Sequence, residues 1–250
     1  MKGDYLMNVY LNRIDGIDDA IISMFLSKRH LTRDKELSIR DMVYRCSQHE
    51  VTGEKPVGAL VSLTEELGEH LKTLFRWGVH HYTMLRFIDL SFTVYGMHRG
   101  GQDDLDAHAM RMNNRIIRES TRVATFLTGE MSEYYQGKIL PTDVALAALG
   151  IETPKELLYD GKLYVKTTNG YILQGMENSK DAQRGLYLMS IPSSFIFKIQ
   201  LTEFAHVYKE RKMDGSAHPE VKIAVENMTD QLADATMGYV SRSMLTEIRN

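Results

Sequence analysis

Two hydrophobic periods share this chain, and they do not take turns. Leu63, Leu67, Leu71, Leu74 and Phe75 recur at helical spacing, predicting a helix with one apolar face that opens in a capping box of Ser62 and Glu65. Directly afterwards, Ile88, Leu90, Phe92 and Val94 alternate with more polar neighbours and predict a strand over Phe87–Val94. Residues 17–46 also read as helical, with Ile21, Ile22, Phe25 and Leu26 at helical spacing. Gly96, Gly100 and Gly101 read as a turn, and 103–127 returns to a helical pattern. An extra inserted segment at 138–180 is expected to hold a short helix, Thr142–Leu149, and a hairpin from Leu163 to Leu173 turning at Asn169–Gly170. Phe195, Phe197 and Ile199 predict a strand leading into a helix at 200–212. A last helix opens with Pro219 in its first turn and carries Val221, Val225, Met228 and Leu232 on one side. A doubly wound parallel sheet needs regular alternation of strand and helix, so the expected class is α+β, a central antiparallel or mixed sheet with helices.

The 250 residues suffice for one well-buried core, and 1–250 reads as a single domain. A net charge of −3 argues against a polynucleotide or an anionic membrane as partner, though a local cluster of arginines can still hold a small anion. Cys46 is the only cysteine, which excludes an intramolecular disulfide and a cysteine-based zinc site. Met1–Asp15 lacks the apolar core of a signal peptide, and no uncharged run reaches the ~18 residues a membrane span requires. The expectation is a soluble cytoplasmic protein.

No dinucleotide-binding glycine fingerprint follows a strand, and neither a P-loop nor a His-Glu-x-x-His motif is present. Serine and cysteine nucleophile contexts are missing as well, and Cys46 reads as a packed thiol. Any difficult chemistry would therefore come from a cofactor, with the protein supplying binding and orientation.

Histidine, arginine and amide side chains concentrate in three segments: Trp77–Thr83, Gly96–Arg122 and Asp181–Lys222. Their order and spacing resemble flavin-dependent thymidylate synthases over roughly residues 60–235. The family's His-x-Ser/Thr turn before a strand with an aromatic-Thr pair is matched by His81-Tyr82-Thr83 and Phe92-Thr93. Its Gly-x-Ser-Arg turn is matched by Gly96-Met97-His98-Arg99. Its Arg-His-Arg falls on Ala107-His108-Ala109, and the preceding glutamine falls on Asp104. The Ser-x-Arg-Tyr that ends this motif corresponds to Ser120-Thr121-Arg122 followed by Val123, reached through an insertion of about three residues. Glu-x-Ala-Arg falls on Asp181-Ala182-Gln183-Arg184. The helix with Asn, then His or Asn, then Arg falls on Gln200, His206 and Arg211 with internal spacing unchanged, and the closing motif on Ala217-His218-Pro219-Glu220-Val221-Lys222.

The resemblance implies FAD reduced by NADPH, methylenetetrahydrofolate as carbon donor, and a pyrimidine nucleotide methylated at C5, dUMP or a neighbour. It also implies a homotetramer whose sites lie between subunits. It places Arg211 in the catalytic role and Arg184, Arg211, Arg122, Ser120 and Asp104 at the substrate. His81, Thr83, His108, Gln200 and His206 fall at the flavin; no metal is implied. Ala107 and Ala109 replace arginines that hold the flavin in the family. That leaves two other readings open: a diverged nucleotide-binding paralogue without flavin catalysis, or different chemistry on the same fold.

The residues also admit plainer roles. Arg184 and Arg211 can be ion-pair partners, with Asp181 and Glu210 close in sequence. His206, flanked by Phe204 and Tyr208, can be a core histidine, and Lys28–Arg33 can be a solvated helix end.

Overall fold

The computed structural model describes residues 7–51, 53, 55–106, 115–119, 142–167, 170–176, 191–213 and 217–248. They fall into two compact units, one from segments within 8–94, 101–117 and 195–248, the other from segments within 95–100 and 118–194 together with Met7.

The strands β1 (Asn8–Asp15), β2 (Asp89–His98), β3 (Arg115–Arg118) and β7 (Pro192–Gln200), most of whose residues belong to the larger unit, form a four-stranded sheet in the order β1-β2-β7-β3. The alternation of Leu90, Phe92 and Val94 does drive β2, which starts at Asp89 and not at the expected Phe87; Ile88, just before it, is buried with them. The strand runs on through Gly96, so that glycine belongs to it, and Gly100 and Gly101 lie in α4 (Arg99–Asp106) instead of a turn. Within the range expected to be helical, 103–127, the described residues hold α4 as far as Asp106 and then the strand β3, which the helical reading did not foresee.

β1, unforeseen because its alternation breaks after Leu11, lies at the sheet edge. An edge strand exposes unpaired N–H and C=O groups. Here the Gln231 amide takes two of them, accepting from Leu11 N–H at 2.7 Å and donating to the Val9 carbonyl at 2.7 Å. Farther along, Ile14 N–H donates to the Val57 carbonyl at 2.8 Å and Val57 N–H to the Asn12 carbonyl at 3.0 Å. Gly58 makes this close approach possible. Its φ is 80°, and a Cβ there would sit 1.8 Å from the Ile14 carbonyl oxygen.

Helices α1 (Ile17–Ser27), α2 (Arg33–Cys46), α3 (Glu65–Gly78), α6 (Leu201–Val207), α7 (Pro219–Ala235) and α8 (Arg242–Glu247) complete this unit. Thr64 caps α3 by accepting from Leu67 N–H at 3.2 Å, so the start lies two residues beyond the expected Ser62. Leu67, Leu71, Leu74 and Phe75 form its buried face, whereas Leu63 precedes the helix and is exposed. Pro219 opens α7, as expected, but α8 follows it, so α7 is not the last helix. Phe92 of β2 stacks on Phe204 of α6 with centroids 5.6 Å apart. Burying each such side chain contributes about 1.5–3 kcal/mol. Cys46 ends α2 as a buried free thiol.

In the smaller unit, β4 (Glu156–Tyr159), β5 (Lys162–Thr167) and β6 (Gly170–Leu173) form an antiparallel sheet beside α5 (Thr142–Ala148) in sequence. Thr167 pairs with Gly170, so Gly170 is in the strand and not in the expected turn, whose Asn169 lies outside the described residues. Asp160 and Gly161 (φ 47° and 71°) turn the unforeseen β4–β5 hairpin. Arg99 donates to the Glu119 carbonyl at 3.3 Å, and the Glu119 carboxylate accepts from Ser194 N–H at 2.7 Å. No helix among the described residues is long and apolar enough to cross a membrane.

Candidate functional site

The residues singled out by sequence gather, where described, in two places joined by one helix. The first is an ion pair. Arg211 lies beyond α6, where the helix widens into a π-helical turn over Tyr208–Met213. Such turns are rare and add a residue per turn, which re-aims the side chains that follow them. The turn fans out three cations to different partners. Lys209 donates to the Ile248 carbonyl, Lys212 pairs with Glu226 at 2.6 Å, and Arg211 pairs with Asp104 of α4 at 3.0 Å.

The Arg211 side chain keeps only 14% of its surface exposed, and its Nε is buried without a hydrogen-bond partner. An unsatisfied buried donor costs about 1–3 kcal/mol, and more when it belongs to a charged group. Arg211 can therefore gain from any rearrangement that opens the Nε and brings an acceptor oxygen of an incoming molecule to it. The plainer reading of Arg211 as an ion-pair partner holds too, with Asp104 as its partner.

The second place is an open groove of about 410 Å³ lined by Ser23, Ser27, Trp77, His81, Thr83, Met84 and Phe87. It joins the ends of α1 and α3 to a 3-10 turn over Tyr82–Phe87. His81 N–H donates to the Trp77 carbonyl at 2.8 Å, which fixes the chain where α3 ends. Their rings lie 6.0 Å apart. Trp77 and Phe87 are exposed large aromatics, and Lys28 places its Nζ 4.0 Å from the Trp77 ring centroid. Aromatic walls with hydroxyls and a nearby cation suit a planar heterocycle bearing an anionic group.

Gln200 ends β7 and precedes α6, and His206 lies within α6; both are half-buried. Helix α6 packs against the 82–87 turn, and Leu201 N–H donates to the Ile88 carbonyl at 2.9 Å. Helix α6 thus links the groove to the Arg211 turn. His218 caps α7, its Nδ1 accepting from Glu220 N–H at 3.1 Å. Arg184, Arg122, Ser120 and His108 lie outside the described residues, as do Ala107 and Ala109.

Sequence reasoning did not assign Trp77, Phe87, Lys28, Ser23 or Ser27 to a site. Trp77 carried a readable signal: it is the only tryptophan and stands four residues before His81.

A crystal structure of thymidylate synthase X (ThyX) from Helicobacter pylori with FAD and dUMP aligns with 96% of this chain and 100% of its own, at 12% identity and a TM-score of 0.54. A second structure of that flavin-dependent enzyme, also complexed with FAD and dUMP, gives the same coverage at 11% identity and 0.55. The chain has the ThyX fold. The UMP/dUMP methylase PolB from Streptomyces cacaoi, bound with 5-Br dUMP, aligns with 94% of this chain and 93% of its own, at 12% identity and 0.50. No family profile matches the chain, and no curated protein does. The ThyX fold accounts for the α+β class.

Proposed function

We propose that this protein methylates C5 of a pyrimidine nucleotide, dUMP or a close relative, with FAD as cofactor and methylenetetrahydrofolate and NADPH as co-substrates. The buried, unpartnered Nε of Arg211 carries the proposal, because it is a cationic donor in need of an oxygen acceptor. A ring carbonyl or phosphate oxygen of the nucleotide would fill that need. Support also comes from the ThyX fold and from known neighbours solved with dUMP, FAD or 5-Br dUMP.

In this reading Arg211 orients the pyrimidine and stabilises charge developing on a ring carbonyl. Asp104 pairs with the guanidinium at 3.0 Å, and its carboxylate would compete with the nucleotide's oxygens for it. Arg184, Arg122 and Ser120 are proposed as further nucleotide contacts. His81 and Thr83 line the groove offered to the flavin, with Gln200, His206 and His108 as additional flavin contacts. A bound flavin would supply the two electrons that separate a methylene unit from a methyl group. The assembly proposed is a homotetramer in the cytoplasm.

Asp104 and the alanines at 107 and 109 favour a second reading, a nucleotide-binding relative that has lost flavin chemistry. The visible spectrum of the purified protein, FAD titration and calorimetry with dUMP, UMP and dCMP separate the two. Saturable binding of FAD and of one nucleotide is expected. Nucleotide binding without FAD binding would leave the second reading, and binding of neither would remove both.

A further inference from the structure

We propose that Trp77 and Lys28 form a seat for a phosphorylated planar heterocycle, one half of the FAD dinucleotide, with Lys28 supplying a cationic contact in place of those missing at Ala107 and Ala109. This rests on the flavin reading above.

The residues on the groove fit such a ligand. Trp77 and Phe87 offer exposed aromatic surface, 39% and 52% respectively. Ser23 and Ser27 donate their hydroxyl protons to the Ala20 and Met24 carbonyls, at 2.7 and 2.8 Å. Their oxygen lone pairs therefore remain able to accept from ring N–H groups of a ligand.

Lys28 follows the last residue of α1 and would be expected to extend into water, since a cation at a helix C-terminus needs no further partner. Instead its Nζ sits 4.0 Å from the centre of the indole. A charge-assisted hydrogen bond outweighs an exposed cation–π contact. An arriving phosphate thus wins the ammonium from the indole. The exchange frees the indole face for stacking by the ring that the phosphate carries.

Trp77 is the only tryptophan, so its emission reports on this site in the unaltered protein. Flavins absorb tryptophan emission at a distance, so the decisive readout is protection of Trp77 from the collisional quencher acrylamide. FAD should protect Trp77 saturably. FMN or ADP should do the same, identifying which half of the dinucleotide occupies the groove, while riboflavin and adenosine bind at least about tenfold more weakly. Lys28→Ala should weaken FAD binding about tenfold and erase the advantage of the phosphorylated ligands, and Lys28→Arg should restore most of it. If equilibrium dialysis shows FAD bound while Trp77 stays open to acrylamide and Lys28→Ala binds FAD like the wild type, the seat is elsewhere and the flavin reading survives. If FAD does not bind at all, both fall.

Discussion

Arg211 and Asp104 face each other at 3.0 Å, and under the proposed function the carboxylate would compete with the nucleotide's oxygens for the guanidinium. Their side chains are 14% and 29% exposed, so the pair is only partly screened by water. Arg211→Ala should cost about 2–4 kcal/mol of nucleotide affinity, the value of one or two charge-assisted hydrogen bonds. Asp104→Asn keeps an acceptor beside the guanidinium but removes the competing charge. It should tighten binding of a phosphate-bearing ligand about tenfold and lower folding stability by about 1 kcal/mol. Calorimetry and urea melts on both variants check this. Weaker binding in Asp104→Asn, as in Arg211→Ala, would make the carboxylate a support for Arg211 and not a competitor.

Gly78 should tolerate no side chain. A Cβ there would lie 2.7 Å from Leu85, whose side chain is fully buried in the turn that carries Thr83. Gly78→Ala therefore overpacks the joint between α3 and the groove, at about 1–3 kcal/mol. A lower Tm together with weakened FAD binding is expected. An unchanged Tm would show that Leu85 can move aside cheaply.

His70 gives the fold an acid sensitivity. It packs edge-on against Phe25, with centroids 5.0 Å apart, and burial pushes its pKa below the ordinary 6.5. Glu66, 3.7 Å away, favours the proton but does not outweigh burial, and Lys35 opposes it further. The folded state thus resists a proton that the unfolded state accepts. Stability from this group is complete above the unfolded pKa and drains as pH falls below about 6.5. His70→Gln should flatten that loss between about pH 7 and 5.5 in paired denaturation series. Parallel pH curves for the two proteins would refute the assignment.

Sedimentation should show a homotetramer at micromolar concentration. The proposal motivates this, because in the family the flavin site is assembled from several subunits. A stable monomer, with and without FAD, would leave each chain with an incomplete site.

Hydrophobic period alone determined β2, β7, the buried face of α3 and the course of α7, because burying those side chains outweighs local alternatives. Motif spacing brought out His81, Thr83 and Arg211, and the ThyX fold bears out the class it implied. Other features needed the folded chain. β1 was hidden because its alternation breaks after Leu11, and its edge is completed by Gln231, 220 residues away. The start of α3 went to Thr64 since the hydroxyl that reaches a free N–H decides a cap, and Ser62 and Thr64 are equally suited by type.

The site divides in the same way. The sequence by itself determined which residue types were available: a lone tryptophan before a histidine, an arginine after a helix, alanines where a family places arginines. Only the tertiary structure decided their partners. It set Asp104 against Arg211 across 107 positions of chain, and it folded Lys28, which reads as a solvated helix end, onto the face of Trp77. Pairing energies of that kind depend on distance in space and on the water excluded between the groups, and neither is written in sequence spacing.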